Sequence, residues 1–221
     1  MSIVRAENIK KRYIQGKVEV DALRGVSANI DQGEFVAMAG PSGSGKTTIL
    51  NIIGGIDNPD SGKVVVDGNN YSDMTQSKLA ELRLNKIGFV FQAYNLIPVL
   101  SAEENVEYIM LLQGVSAKER KKKARAILDD VGLEGIYSRR PSELSGWQQQ
   151  RVAVARAIVS NPAPCIRASL FLYPSAINTL PLIHTQFAAY VSSSGTQIRL
   201  NPLNSSCPSS SLLTTSIPSW R

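Results

Sequence analysis

The sequence predicts an α/β fold over residues 1–163, and three observations carry that prediction. Short β-branched segments of alternating polarity fill the N-terminal part, a glycine-rich turn joins an apolar run to a helix-like stretch at residues 40–48, and beyond residue 100 the apolar spacing turns helical. Ile3 to Ile9 and Val18 to Ile30 alternate as half-buried strands do. Phe35 to Ala39 is a continuous apolar run ending at Gly40, the pattern of a buried parallel strand, and Lys46 to Ile53 follows it as a helix. Lys63 to Val66 runs into Asp67-Gly68, a strand entering a tight turn, and Ile87 to Phe91 is a further buried strand.

Past Gln92 the period changes. Ser101-Ala-Glu-Glu104 has the form of a capping box, in which hydroxyl and carboxylate satisfy exposed backbone N–H groups, and Gly114 follows the helix it opens. Ser116-Ala-Lys-Glu119 repeats the device. The helix it begins gathers Ala124, Ile127, Leu128 and Val131 on one face, so the Lys121, Lys122 and Lys123 run reads as a solvated face rather than an anion site.

Composition narrows the function classes. With 43% apolar and 19% charged residues and a mean hydropathy of −0.07, the 221-residue chain suffices for one globular domain or at most two small ones. Cys165 and Cys207 are too few for a disulfide scaffold and lack metal-ligand spacing. No secretory leader and no membrane-spanning run is legible, which predicts a cytoplasmic location. The net charge of +6 raises nucleic acid as a partner, but half of it comes from residues 164–221, which hold three arginines and no acid. Without interleaved aromatics or a groove-reading motif, a nucleic-acid partner is not expected.

Gly40-Pro-Ser42-Gly43-Ser44-Gly45-Lys46-Thr47 fits G-x-x-x-x-G-K-[ST] between an apolar strand and an apolar helix. Small residues let the backbone curl so that N–H groups from Gly43 to Thr48 converge on phosphate oxygens at the positive end of a helix. In such a loop Lys46 reaches the β and γ phosphates and the Thr47 hydroxyl ligates Mg²⁺. Ser145 lies in Leu144-Ser-Gly-Trp-Gln-Gln-Gln-Arg151, ahead of the helix-forming Val152 to Ile158. Alone, that serine is an ordinary helix N-cap.

Together, the phosphate loop and the Leu144–Arg151 segment resemble the ATPase subunits of ABC transporters, and Phe91-Gln92 with the Ala-Tyr-Asn-Leu-Ile-Pro-Val-Leu after it resembles the lipoprotein-release and macrolide-export group. The resemblance covers about residues 1–163. It implies a P-loop NTPase (ABC ATPase) fold with an antiparallel β subdomain and a helical subdomain at about 93–160. It also implies ATP and Mg²⁺ as cofactors, a homodimer of ATPase subunits, and a separate membrane permease holding the chain at the inner face of the membrane. Carried over residue by residue, Lys46 and Gln92 are catalytic, with Gln92 and Thr47 at the metal. Tyr13, Gly40, Ser42, Gly43, Ser44, Gly45, Lys46, Thr47, Thr48, Ser145, Gly146 and Gln148 bind nucleotide. On its own residues, Tyr13 also reads as a structural tyrosine and Gln92 as a loop glutamine.

Two departures stand out. Trp147 occupies a place where the family carries glycine, and its bulk is expected to obstruct close approach of a second subunit. After Asn161-Pro-Ala the family continues with an apolar strand ending in Asp-Glu-Pro, whose glutamate is the general base, and then a switch histidine. Here no acid follows Glu143, and the single histidine, His184, lies in an unrelated setting. Two functions stay open: an ATP-hydrolysing exporter subunit, and a nucleotide-binding remnant without hydrolysis. Residues 164–221, with twelve serines and six prolines and neither strand nor helix period, read as a non-family tail, degenerate or disordered or the product of a shifted reading frame. Translating the nucleotides after codon 163 in the two other frames is expected to give an apolar strand followed by Asp-Glu-Pro; a run in neither frame would exclude a shift.

Overall fold

A computed structural model describes residues 1–168 of the chain, apart from Lys17, Phe35, Ala37 and Ala39. The expectations for the tail from residue 169, His184 included, lie outside the described residues.

Strands β1 (Ser2–Gln15) and β2 (Val18–Asp31) form a long hairpin, and β3 (Ser61–Val66) and β4 (Asn69–Asn70) complete an antiparallel sheet of order β2-β1-β3-β4. β2 matches the expected Val18 to Ile30 to within one residue, whereas β1 runs on past the expected end at Ile9 to Gln15, because bulges repeatedly reset its alternation. Ala6 and Ile9 lie three apart, so a regular strand would turn them to opposite faces, yet both are buried. A bulge intervenes: Ala6 opposes Ala28 and Ile9 opposes Val26, with Asn8 at φ +51° and its N–H donating to Ser27 Oγ at 2.9 Å.

Helix α1 (Lys46–Ile53) packs Ile49, Ile52 and Ile53 against Val4, Ala6, Ile9, Leu23, Ile30, Val64 and Val66 of this sheet. Helix α2 (Gln76–Lys86) adds Leu79 and Leu82 to the same core. The sequence reading missed α2 because those two leucines are its only buried residues. Its start is nonetheless marked by Thr75, whose hydroxyl accepts the Lys78 N–H at 3.4 Å.

Strand β5 (Gly88–Phe91) pairs in parallel with β6 (Cys165–Ala168), Gly88 opposite Cys165 and Phe91 opposite Ala168. Regular structure therefore runs four residues past the point where the sequence texture changes. The expectation of a degenerate or disordered tail from residue 164 is corrected for Cys165–Ala168: register with β5 and burial of Cys165 and Ile166 override a composition that looks irregular. Phe35, Ala37 and Ala39 of the expected strand before Gly40 lie outside the described residues. Val36 and Met38 belong to no strand, but both pack against the α1 core.

Helices α3 (Ala102–Leu112), α4 (Ala117–Asp130) and α5 (Gly146–Ile158) enclose a second core of Val106, Met110, Ala124, Leu128, Val131 and Val152. The box at Ser101 forms in full, with Glu104 N–H to Ser101 Oγ at 3.2 Å and Ser101 N–H to Glu104 Oε2 at 2.8 Å. The second box forms by half. Ser116 Oγ accepts the Glu119 N–H, but the Glu119 carboxylate pairs with Lys123 one turn on, at 2.7 Å. Lys121, Lys122 and Lys123 are exposed, as expected of a solvated face.

The loop between β5 and α3 is fastened by Asn105, which is fully buried. Its Oδ1 accepts the Ile97 N–H at 2.8 Å, and its Nδ2 donates to the carbonyls of Ile97, Leu100 and Ser101. Asn105→Ala removes all four bonds and strands the Ile97 N–H, so a stability loss of about 2–4 kcal/mol is expected. Urea unfolding followed by circular dichroism measures it.

Candidate functional site

The turn from Gly40 to Gly45 leads directly into α1. Its conformation depends on Gly45, which sits at φ +83° with the place of a Cβ only 2.5 Å from the Ala22 carbonyl oxygen of β2. A side chain there would be strained by its backbone angles and would strike main chain. As the N-cap, Gly45 brings no side-chain oxygen, and no acid occupies the first turn. The leading N–H groups of α1, at Lys46, Thr47 and Thr48, therefore face outward without a side-chain acceptor at a partially positive helix end. Gly43, at φ +80°, has open space where a side chain would be.

Lys46 extends back over this turn. Its Nζ donates to the Gly40 carbonyl at 2.8 Å, the Pro41 carbonyl at 2.7 Å and Ser44 Oγ at 3.2 Å. Two neutral carbonyls are weak partners for an ammonium, which leaves the cation ready to exchange them for anionic oxygens. Ser42 and Thr47 are exposed on the same turn, and Thr48 is half-buried beneath it.

Tyr13 joins the turn through its hydroxyl, which lies beside the Thr48 side chain and donates to Asp57 Oδ2 at 2.6 Å. Lys11 lies 5.3 Å from the Tyr13 ring centroid, donates to Asp57 Oδ1 at 3.0 Å and to the Asn58 carbonyl at 2.7 Å, and pairs with Asp60 at 3.6 Å. The ring is thus held by a knot of charges. Burial opposes the Asp57 charge, but bonds from Tyr13, Lys11 and the Asn58 N–H outweigh it and hold the carboxyl below its ordinary value. Burial likewise disfavours the Lys11 ammonium, and Asp57 and Asp60 more than compensate, raising it. Burial and the bond to Asp57 raise the Tyr13 phenol, so it stays a donor. Val20, directly across the hairpin from Tyr13 and 47% exposed, extends the platform. Sequence reasoning missed Val20, Lys11 and Asp57, because partners in space leave no motif.

Ser145 and Gln148 form a complete capping box at the start of α5, Gln148 N–H to Ser145 Oγ at 3.2 Å and Ser145 N–H to Gln148 Oε1 at 2.9 Å. The serine oxygen accepts in this arrangement, so its O–H remains able to donate elsewhere. Gly146 begins the helix beside Tyr94, whose hydroxyl lies 3.8 Å from the place of a Cβ. Trp147 is 41% exposed and lies over the Arg151 guanidinium, 4.9 Å away, which itself donates to the Val131 carbonyl at 2.9 Å. Gln92 is exposed at the end of β5. The helix carrying Ser145 contacts α3, α4 and β5, so Ser145 and Gln92 share a framework, while Tyr13 and the phosphate loop share another.

Among the described residues no cluster of His, Cys, Asp or Glu forms a metal cage. The Thr47 hydroxyl and Gln92 amide are neutral oxygens, a donor set that suits Mg²⁺ arriving with a polyphosphate rather than alone.

The sequence model of the ABC transporter family matches residues 23–166, slightly beyond the expected limit of resemblance. An uncharacterized ABC transporter ATP-binding protein of Thermotoga maritima is 51% identical over 160 residues, 72% of this chain and 68% of that one. The lipoprotein-releasing system ATP-binding protein LolD of Saccharophagus degradans is 44% identical over 161 residues, 73% of this chain and 71% of its own. The ATP-binding cassette MJ0796 of Methanocaldococcus jannaschii, solved as a dimer in a post-hydrolysis state bound to ADP and Pi, aligns with a TM-score of 0.76 at 38% identity over 85% of this chain and 87% of that one.

The Asp57 knot has a pH signature. A carboxyl held below its ordinary value stabilises the fold above that value, and the contribution is lost as the pH falls through the lower, folded one. Asp57→Asn is expected to cost about 1 kcal/mol at neutral pH, discounted for the partial exposure of the group, with the difference from the native chain shrinking toward about pH 3. Urea melts of both chains at the two pH values check the sign.

Proposed function

From the premise that this chain belongs to the ABC transporter family of ATP-binding proteins, we propose that it holds Mg-ATP on Gly40 to Thr48 and works beside a separate membrane permease. The observation that carries the reading is the Lys46 ammonium, poised over two loop carbonyls in front of uncapped helix N–H groups. Entering phosphates take over the ammonium and accept from those N–H groups. Gly40, Ser42, Gly43, Ser44 and Gly45 shape the cradle, and Thr48 supports it from below. Tyr13, tied through its hydroxyl to Asp57 and lying 5.3 Å from the Lys11 ammonium, receives the adenine together with Val20. Thr47 and Gln92 are the residues that hold the metal, which when bound neutralises charge on the terminal phosphates. Ser145, Gly146 and Gln148 serve the nucleotide of a second copy in a homodimer, a reading supported by the dimeric form of the ADP- and Pi-bound cassette MJ0796.

The permease surface in this reading is the apolar face formed by Val99, Tyr108, Leu111 and Leu112, which are between 38% and 72% exposed on and before α3. No helix among the described residues is long and apolar enough to cross a membrane, so a spanning partner fits. For turnover, the family hydrolyses ATP with a carboxylate as general base, and this sequence holds no acid after Glu143. That favours nucleotide binding over turnover for the chain as it stands, with hydrolysis reduced by at least roughly 10²- to 10⁴-fold.

Lys46→Ala is expected to weaken Mg-ATP binding by about 2–4 kcal/mol, the loss of charge-assisted bonds to a polyphosphate. Isothermal titration calorimetry gives the constant, and phosphate release from the native chain separates binding from hydrolysis. An unchanged Kd in the variant would place the nucleotide elsewhere.

A further inference from the structure

Gln92 stands at the head of a turn whose backbone is unusual. Tyr94 and Asn95 both adopt left-handed conformations, at φ +59° and +49°, although neither is glycine. For a tyrosine in particular this region is sparsely populated, so something outside the turn must hold it there. The turn's internal bonds run from the Tyr94 N–H to the Phe91 carbonyl at 3.1 Å and from the Asn95 N–H to the Ala93 carbonyl at 2.6 Å. The external hold comes from α5. Arg156 donates through Nη1 to the Asn95 carbonyl at 2.7 Å and through Nη2 to the Tyr94 carbonyl at 2.8 Å, gripping two successive peptide units with one planar fork.

Arg156 has no carboxylate partner among the described residues, and burial lowers its pKa with nothing to offset it. An unpaired, half-buried guanidinium is a costly way to fill space on a helix. Among the described residues its side-chain hydrogen bonds all go to this turn. Tyr94 adds two further attachments, packing against the buried cluster that includes Ala153 and Ala157 of the same helix and bringing its hydroxyl near Gly146 at the helix start.

We propose that Arg156 is a positioning residue for Gln92, locking the left-handed turn so that the place of Gln92 follows that of α5 and thus of Ser145. Resting on the nucleotide reading given above, this adds a residue to the site and a physical link between two of its parts. Any displacement of α5 is transmitted through the fork to the two carbonyls that define the turn, one peptide away from Ala93 and two from Gln92.

The test uses the full chain and three variants: Arg156→Lys, Gln92→Ala and the double substitution. Arg156→Lys keeps the charge and the helix but cannot grip two carbonyls in one plane. NMR-detected amide exchange is expected to quicken by about tenfold or more at Tyr94 and Asn95 with the rest of α5 unchanged. Unchanged exchange at those two amides would overturn the locking role. ATP affinity is then measured with Mg²⁺ and in chelator. Arg156→Lys is expected to weaken binding only with Mg²⁺, by about the same threefold to tenfold factor as Gln92→Ala, and the double variant is expected to lose no more than Gln92→Ala alone. Equal losses with and without metal, or losses that multiply in the double variant, would mark Arg156 as a merely structural residue and overturn the proposal. Should Gln92→Ala leave the metal-dependent part intact, the assignment of Gln92 to the metal fails by itself, and the locking role is then decided by the exchange rates.

Discussion

Ile49, Ile52 and Ile53 are driven out of water together onto the antiparallel sheet, each side chain contributing roughly 1.5–3 kcal/mol, and this burial fixes where α1 begins. With the helix axis fixed by its apolar stripe, the preceding turn has no latitude. Gly45 is pressed onto the Ala22 carbonyl of β2, and the Lys46 side chain can only fold back over Gly40 and Pro41. Thr48, in the first turn of the helix, meets Tyr13 from β1, whose position is set in turn by the hairpin register. The geometry that suits a polyphosphate is therefore a by-product of ordinary core packing and not of anything inside the loop. That arrangement keeps an exposed, glycine-rich turn in one shape without side-chain caps.

A second framework is organised by α5. Its buried residues divide between two cores: Val152 and Ala155 pack with α3 and α4, while Ala153 and Ala157 pack with Val90 and Cys165 of the parallel strand pair. Small residues dominate this helix where it meets β5 and β6, allowing close approach, and Ala157 sits directly against Gly88. A helix held on two sides in this way moves as a rod. Arg151 anchors the rod to the end of α4 and Arg156 to the turn after Gln92, so both arginines act through backbone carbonyls rather than through acids.

The parts legible in the sequence were those in which neighbours along the chain do the chemistry. The phosphate loop, the box at Ser101 and the serine cap at Ser145 each close within three to six residues, so their patterns survive in one dimension. The box at Ser116 closed only by half because a competing partner for Glu119, Lys123, lay one turn further on. What the sequence concealed were relations across space: the bulge at Asn8 that lets Ala6 and Ile9 face one way, the knot of Lys11 and Asp57 behind Tyr13, and the fork of Arg156. Helix α2 was hidden by its polarity and β6 by its brevity. Cys165 to Ala168 is a strand because β5 offers it a ladder, a reason its four residues do not contain.

The hairpin has one more consequence, which concerns solubility. Among the described residues β2 is the outer strand of its sheet, fourteen residues with one row of backbone groups unpaired, the kind of edge that recruits other chains into sheets. Two features blunt it. Gly25, at φ +101°, is the extra residue where Ile9 opposes Val26 but Lys10 opposes Arg24, and the kink it introduces breaks the edge in mid-strand. Glu19, Asp21 and Arg24, all exposed, then spread charge of both signs along the outer half. An incoming strand would have to follow the kink and crowd those charges, so the edge stays solvated and resists pairing with the strands of other chains.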